Sequence, residues 1–169
     1  MPDVPAAALA AEVAGLGFLL GTWAGEGEGR YPTIQTFQYT EEITFGHVGR
    51  PFLTYEQRTI RHDTGLPAHG EAGYLRPAPA GRVEFVLAHS TGIAEVEEGT
   101  VDGTRLELAS TVVSRTATTK EVTAIERAIA VDGDVLHYTL RMAAVGHPLT
   151  HHLEAELHRL PKPQANLRS

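Results

Sequence analysis

The chain of 169 residues contains no cysteine. This absence excludes zinc sites built on thiolates, iron–sulfur clusters, cysteine nucleophiles and disulfide bonds. It is compatible with a reducing cytoplasm, which is the location that we expect. A chain of this length buries a core of its own without covalent cross-links. We therefore expect a single domain over residues 1–169.

Positive charge is also scarce, because 14 Lys and Arg stand against 21 Asp and Glu and leave a formal net charge of −7. Binding to nucleic acid or to an anionic membrane needs a basic surface. We therefore expect neither as a partner. The N-terminal apolar stretch is interrupted by Asp3 and Glu12 and lacks the positive start of a signal peptide, and it is too short and too rich in glycine to span a bilayer.

Helical periodicity is confined to the first residues. The spacing of Leu9, Val13 and Leu16 predicts a short helix from Pro5 to Leu16, inside a leader of residues 1–17. At the other end, residues 161–169 contain two prolines and show no periodicity, which predicts a loose tail.

Between these ends, short segments rich in Val, Ile, Thr, Tyr and Phe alternate with turns that contain Gly, Pro and Asp. In VLHYTLRMA, Leu136 and Tyr138 face one side and His137 and Thr139 face the other, which is typical of a strand with one dry face. The series predicts an all-β fold of about ten antiparallel strands closed into a barrel with room for a ligand. The predicted strands are Thr22–Gly29, Thr33–Phe45, Phe52–Arg61, His69–Arg76, Arg82–Ser90, Ile93–Thr100, Arg105–Ser114, Glu121–Val131, Val135–Ala143 and His151–Leu160.

The stretch GTWAGEGEGRYPTI, residues 21–34, carries repeated glycines through a predicted strand. It does not match a phosphate-binding loop, because it lacks the G-x-x-x-x-G-K-[ST] pattern and no helix follows it. Glycine inside a strand marks a bend, a bulge or the close approach of another group. We interpret the stretch as a bent first strand, with Trp23 closing one end of the barrel and Thr33 facing the interior.

The segment HGEAGYLRP places His69 and Glu71 on one face of a strand. Such a pair serves acid–base chemistry or, more commonly, forms a surface hydrogen bond. His89 ends an apolar strand and is expected at the barrel rim with its hydrogen bonds satisfied. The remaining histidines outside the last strand, His47, His62, His137 and His147, stand at turn or polar positions.

The last strand, LTHHLEAELHRL, begins with two adjacent histidines. Strict alternation places His151 with Leu153, Ala155 and Leu157 on the apolar face, and His152 on the polar face. A zinc site made of His147, His151 and His152 has no supporting spacing motif.

Three stretches together resemble the nitrobindins: LLGTWAGEGEGRYPTI, HGEAGYLRP and LTHHLEAELHR. Nitrobindins are small all-β proteins that bind haem b in a ten-stranded barrel and are distantly similar to fatty-acid-binding proteins and lipocalins. The similarity runs from about Phe18 to Arg159, in the same order and at similar spacing. The G-x-W-x-G-x-G element of the family is present as Gly21, Trp23, Gly25 and Gly27.

The resemblance implies one ferric haem b per chain, held by a single axial histidine in an open, solvent-accessible cleft. It also implies that the iron binds nitric oxide and isomerises peroxynitrite to nitrate, so that the protein is a peroxynitrite isomerase. Carried over by position, the axial ligand is His152, with His151 in reserve. Thr33 and His69 fall on residues that face the haem, His69 on its distal side, and Lys120 falls near a basic residue that meets it.

The sequence leaves the iron ligand and the function open. Alternation favours His151 as the inward residue and the resemblance favours His152, and a β-bulge after Pro148 would reconcile the two. One alternative function is a carrier of a small apolar ligand without haem, in which Arg127 or Arg141 holds a carboxylate. The other is a β-barrel interaction domain whose histidines are incidental.

Overall fold

The computed structural model describes residues 7–162, which form one 3₁₀ helix and ten strands in sequence. The helix spans Ala11–Leu19. The strands are β1 (Gly21–Tyr31), β2 (Ile34–His47), β3 (Leu53–Arg61), β4 (Pro67–Ala78), β5 (Arg82–His89), β6 (Ile93–Asp102), β7 (Arg105–Arg115), β8 (Val122–Asp132), β9 (Val135–Ala144) and β10 (Thr150–Arg159).

Each strand pairs antiparallel with its neighbours in sequence, and β1 also pairs with β10, so the sheet closes into a barrel. The predicted barrel is confirmed, and each predicted strand boundary lies within two residues of the observed one. The alternation of apolar and polar residues predicts the strands correctly because each strand has one face in the barrel interior and one in water. In β9, Leu136, Tyr138 and Leu140 are buried, whereas His137 and Thr139 are exposed.

The predicted short helix is confirmed, but its bounds differ from the predicted Pro5 to Leu16. The observed helix is a 3₁₀ helix that begins at Ala11, and residues 1–6 lie outside the described part of the chain. Gly15 and Gly17 weaken an α-helix here, and Ala10 makes no side-chain cap, so burial of the apolar side chains determines the conformation. Within the predicted tail, residues 161–162 belong to no helix or strand, and residues 163–169 lie outside the described part of the chain.

This helix covers one end of the barrel, where Val13, Leu16 and Leu19 are buried. Trp23 on β1 lies beneath it, fully buried, and its indole Nε1–H donates to the Leu19 carbonyl at 2.8 Å. The helix and Trp23 therefore close this end, as the sequence predicted for the tryptophan. Among the helices in the described part of the chain, none combines the length and hydrophobicity needed to cross a bilayer.

The glycines of β1 allow aromatic side chains to approach the strand closely. A Cβ atom on Gly27 would overlap the ring of Tyr39, and one on Gly29 would overlap the ring of Phe37. Both rings belong to β2 and line the barrel interior. Close approach of another group, together with a register shift between Gly29 and Tyr31, therefore explains these glycines.

The barrel wall opens between β7 and β8. These strands pair from Arg105↔Ala130 to Ala109↔Glu126, whereas β7 continues to Arg115 and β8 begins at Val122. Beyond Ala109, the side-chain hydroxyl of Ser110 accepts the backbone N–H of Ile125 at 2.9 Å. The two strands separate toward the end that lies opposite the helix, and residues 118–121 between them line the interior there.

Candidate functional site

A cavity of about 650 Å³ occupies the end of the barrel opposite the 3₁₀ helix. Small-molecule and cofactor sites typically enclose roughly 300–1,000 Å³. The walls are mostly apolar and aromatic, with polar groups at the mouth and on the floor. The lining residues used below are Tyr31, Thr33, Phe37, Arg61, His69, Glu71, His89, Ile93, Lys120, Val122, Ile125, Leu140, Met142, His152 and Leu153.

A β-bulge at the start of β10 directs His152 into this cavity. His151 pairs with Arg141 and Leu153 pairs with Leu140, so His152 is the extra residue between two ladder positions. Arg141 is exposed, and His151 opposite it therefore belongs to the outer face. The prediction from alternation that His151 points inward is wrong. The bulge exchanges the inner and outer faces of the strand for the residues before Leu153. His152 and Leu153 both line the cavity.

The His152 ring is held in one tautomer by the backbone. Its Nδ1 lies 3.1 Å from the Arg30 carbonyl oxygen, which only accepts, so the proton is assigned to Nδ1 and the lone pair to Nε2. Burial lowers the pKa of His152, which favours the neutral ring. The edge of its ring also packs against Tyr31, with centroids 5.5 Å apart. His152 thus offers the cavity a neutral, oriented imidazole.

The other predicted site residues lie around the same cavity. Thr33, in the turn between β1 and β2, and Lys120, in the loop between β7 and β8, are exposed at its mouth. His69 on β4 is half-buried on its wall. The sequence missed Arg61, which also lines the cavity; it pairs with Asp63 at 2.6 Å and lies over the Phe37 ring at 4.4 Å.

The interpretation of His69 and Glu71 as a surface pair is wrong, whereas His89 has the satisfied hydrogen bonds expected of it but is buried. His69 Nε2 lies 3.2 Å from Glu71 Oε1, but the Glu71 side chain is only 4% exposed. The side chain of His89 is 5% exposed, and its Nε2 lies 2.8 Å from Glu95 Oε1. Both residues therefore belong to the cavity floor, because β4 and β5 turn these positions inward.

Beneath the floor lies a buried ion cluster that sequence reasoning missed. The Arg127 guanidinium donates to Glu71 at 3.1 Å, to Glu95 at 3.3 Å and to Glu97 at 3.4 Å. Burial would raise the pKa of Glu71, but Arg127 and the neighbouring histidines hold it well below its ordinary value. Burial, with Glu95 beside it, raises the pKa of Glu97 to about 7. A signal was present, since alternation places Arg127 between Ile125 and Ile129 on the apolar face of β8.

A second buried group adjoins this cluster. The Glu41 carboxylate accepts from the Gln57 amide at 2.6 Å and from the Tyr138 hydroxyl at 2.8 Å, and Tyr138 bonds to the Tyr39 hydroxyl at 2.8 Å. Burial raises the pKa of Glu41 to about 7. The middle of the barrel is therefore a polar layer between an apolar end and the cavity.

The two arginines that the sequence suggested for binding a ligand carboxylate in an apolar carrier are not available for that role. Arg127 is engaged by three carboxylates and lies below the cavity, and Arg141 pairs with Glu126 at 2.7 Å on the outer surface. Neither arginine is among the residues that line the cavity. The zinc site considered at His147, His151 and His152 also fails, because among residues 7–162 these three histidines do not bring ligand atoms within 4.8 Å of one another.

A family model described as "THAP4-like, heme-binding beta-barrel domain" matches residues 12–159. The chain belongs to the nitrobindin family. The cavity of this nitrobindin fits a haem: a neutral imidazole stands in an apolar chamber, and the cations Lys120 and Arg61 lie near the opening.

Relatives support this family assignment over most of the chain. A protein named "Peroxynitrite isomerase" from Nocardia farcinica is 54% identical over 159 residues, which are 92% of this chain and 95% of the relative. "Peroxynitrite isomerase 2" from Mycobacterium marinum is 52% identical and covers 83% of this chain and 90% of its own. The crystal structure of Rv2717c from M. tuberculosis superimposes with a TM-score of 0.85 at 50% identity, covering 91% of this nitrobindin and all of the other chain.

Proposed function

We propose that this nitrobindin binds one ferric haem b per chain through His152 and isomerises peroxynitrite to nitrate. Relatives of 54% and 52% identity carry the name of that activity, and the family model describes a haem-binding barrel. The observation that carries the proposal is the bulge of β10, which turns a neutral imidazole into an apolar cavity of cofactor size.

His152 is the proposed axial ligand. Its Nδ1–H donates to the Arg30 carbonyl, which orients the ring and increases the basicity of Nε2. Tyr31 packs against the ring edge and restricts its rotation. Because burial lowers the pKa of His152, little binding energy is spent on deprotonating it at neutral pH.

The remaining contacts follow the chemistry of the lining. Phe37, Ile93 and Leu153 would offer apolar surface to the porphyrin, and Thr33 would lie at its edge. Lys120, exposed at the mouth, would pair with an anionic propionate. His69 stands on β4, which is separated from β10 by several strands in either direction around the barrel. It would therefore lie on the side of the cavity away from His152.

A bound ferric haem supplies a Lewis-acidic iron for the rearrangement of peroxynitrite and a binding position for nitric oxide. The chain contributes orientation and access. The apolar lining would hold the macrocycle, and the shortened pairing of β7 with β8 would leave room for small solutes to enter. No side-chain nucleophile is required.

The test is a haemin titration of the full chain, followed by its Soret absorption and by stopped-flow decay of peroxynitrite. We expect one haem per chain, a five-coordinate ferric spectrum and accelerated formation of nitrate. His152→Ala should lose both the specific band and the activity. His151→Ala is the matched control, because that side chain faces outward, and it should retain both. Haem binding that survives in His152→Ala and disappears in His151→Ala would overturn the ligand assignment.

A further inference from the structure

Three side-chain atoms that could bind a metal lie close together on the cavity floor. None of them belongs to His152, the proposed haem ligand. His69 Nε2 lies 3.1 Å from His89 Nδ1 and 3.2 Å from Glu71 Oε1, and the latter two atoms are 3.5 Å apart. Zinc binds nitrogen and oxygen ligands at about 2.0–2.2 Å in tetrahedral geometry, which places neighbouring ligand atoms about 3.3–3.6 Å apart. The observed triangle, with sides of 3.1, 3.2 and 3.5 Å, is close to one face of such a tetrahedron.

The ligand atoms of the triangle are free of other side-chain partners. The Nε2 of His89 lies 2.8 Å from Glu95 Oε1, so a proton on Nε2 leaves Nδ1 directed at His69. Glu71 bonds to Arg127 through Oε2, which leaves its Oε1 to His69 and His89. A cation at the centre of the triangle would replace the protons that otherwise bridge these three atoms.

The ligands are already held by outer partners. Metal-binding histidines commonly donate their second ring N–H to a carboxylate, and His89 does so to Glu95. The other oxygen of Glu71, Oε2, accepts from the Arg127 guanidinium at 3.1 Å and from the Tyr55 hydroxyl at 3.4 Å. The site is therefore oriented in advance of binding.

The local charge also favours a cation. Three carboxyl groups, those of Glu71, Glu95 and Glu97, surround the single guanidinium of Arg127. The second carboxyl oxygens of Glu95 and Glu97 are buried without a hydrogen-bond partner. Buried carboxyl oxygens without a partner are costly, and a divalent ion held by His69, His89 and Glu71 would add positive charge to this layer.

We propose that His69, His89 and Glu71 form a three-ligand site for a divalent first-row metal ion, typified by Zn²⁺, with its fourth coordination position facing the cavity. His69 and His89 both line the cavity, and the His69 side chain is 26% exposed, so an ion would reach the site from the cavity. Among residues 7–162, these three form the group of potential ligands whose atoms lie within 4.8 Å of one another. The proposal stands independently of the haem.

The test is a titration of the full chain, free of haem, with Zn²⁺ by calorimetry and with Co²⁺ by its visible d–d absorption. We expect one ion per chain and the strong bands of four-coordinate Co²⁺. His69→Ala should abolish this binding, and Glu95→Gln, which leaves the three ligands in place, should weaken it about 10–100-fold. His158→Ala, on the exposed outer face, is the matched control and should bind as the unchanged chain does.

The outcomes separate this proposal from the haem site. His152→Ala should keep the metal and lose haem, whereas His69→Ala should lose the metal. Circular dichroism and thermal melting of each variant show whether it is folded, and the half-exposed position of His69 makes His69→Ala the safer variant. Unchanged Co²⁺ bands in folded His69→Ala, or loss of those bands in His152→Ala, would overturn the site. If the unchanged chain gave no Co²⁺ bands, the proposal would be wrong, and protons alone would bridge the three side chains.

Discussion

The rings of His152 and Tyr31 meet edge to face, with centroids 5.5 Å apart and planes at 77°. The Tyr31 hydroxyl accepts the backbone N–H of Ala144 at 2.9 Å and lies 3.2 Å from the carbonyl oxygens of Met142 and Ala144. Tyr31 ends β1 and Ala144 ends β9, and β10 lies between these strands. One side chain therefore bridges two strands and braces the bulged histidine of the third.

Removing that hydroxyl should separate stability from haem affinity. Tyr31→Phe leaves the buried N–H of Ala144 without its acceptor, so we expect the free energy of unfolding to fall by about 1–3 kcal/mol. The ring that packs on His152 is retained, so haemin affinity should change little. Tyr31→Ala should reduce both. Chemical denaturation and haemin titration measure the two effects, and a Tyr31→Phe protein as stable as the unchanged one would contradict the bridging role.

Loss of the buried guanidinium should be severely destabilising. Arg127→Met leaves Glu71, Glu95 and Glu97 without their shared cation, and breaking a buried ion pair in this way costs about 3–5 kcal/mol. Arg141→Met is the matched control, since Arg141 pairs with Glu126 at the surface, where a pair is worth less than about 1 kcal/mol. Equal effects of the two substitutions in urea unfolding would show that the cluster is not the source of the stability.

Glu41 should make stability depend on pH near neutrality. Burial raises its pKa from 4.5 to about 7, so the folded chain holds a proton that the unfolded chain releases. Stability should therefore be greater at low pH and decline as pH rises from 4.5 to about 7, by roughly 3 kcal/mol for this one group. Glu97 shifts in the same direction and adds to the decline.

The check is a series of urea midpoints between pH 5 and 8 for Glu41→Gln, a range chosen to bracket the shifted pKa of about 7. The amide cannot ionise, so the variant should lose part of the decline and gain stability relative to the unchanged chain at high pH. Glu42→Gln is the control, because Glu42 pairs with Arg58 on the outer face and should leave the profile unaltered. A profile for Glu41→Gln as steep as that of the unchanged chain would rule out Glu41 as a source of the slope.

Lys120 should contribute modestly, and through charge, to haem binding. It is exposed at the cavity mouth, so pairing with a propionate is screened by water and salt. We expect Lys120→Ala to weaken haemin binding about two- to fivefold at low ionic strength and less at high salt. Arg82→Ala is the control, because Arg82 follows the turn between β4 and β5 at the far end of the barrel. A salt-independent loss would point to packing by the lysine stem instead.

The barrel itself was readable from the sequence because strand alternation and Gly or Asp turns are local signals. Leu136, Tyr138 and Leu140 alternate with exposed residues along β9, and each partner strand shows the same two-residue period. The family resemblance pointed to His152, Thr33, Lys120 and His69, and all four lie on one cavity. Local pattern and resemblance together therefore determined the architecture and the neighbourhood of the site.

Two features depended on the folded chain. The bulge that turns His152 inward is a mismatch between β10 and β9, so it exists only in the pairing of two strands. The cluster of Glu71, Glu95, Glu97 and Arg127 joins strands β4, β6 and β8, and closure of the barrel brings them within hydrogen-bonding distance. Along their own strands the three glutamates look like surface residues, and only Arg127 stands on an apolar face. Only the tertiary structure decided that these charges are buried together, because burial is a property of the closed sheet and not of any segment.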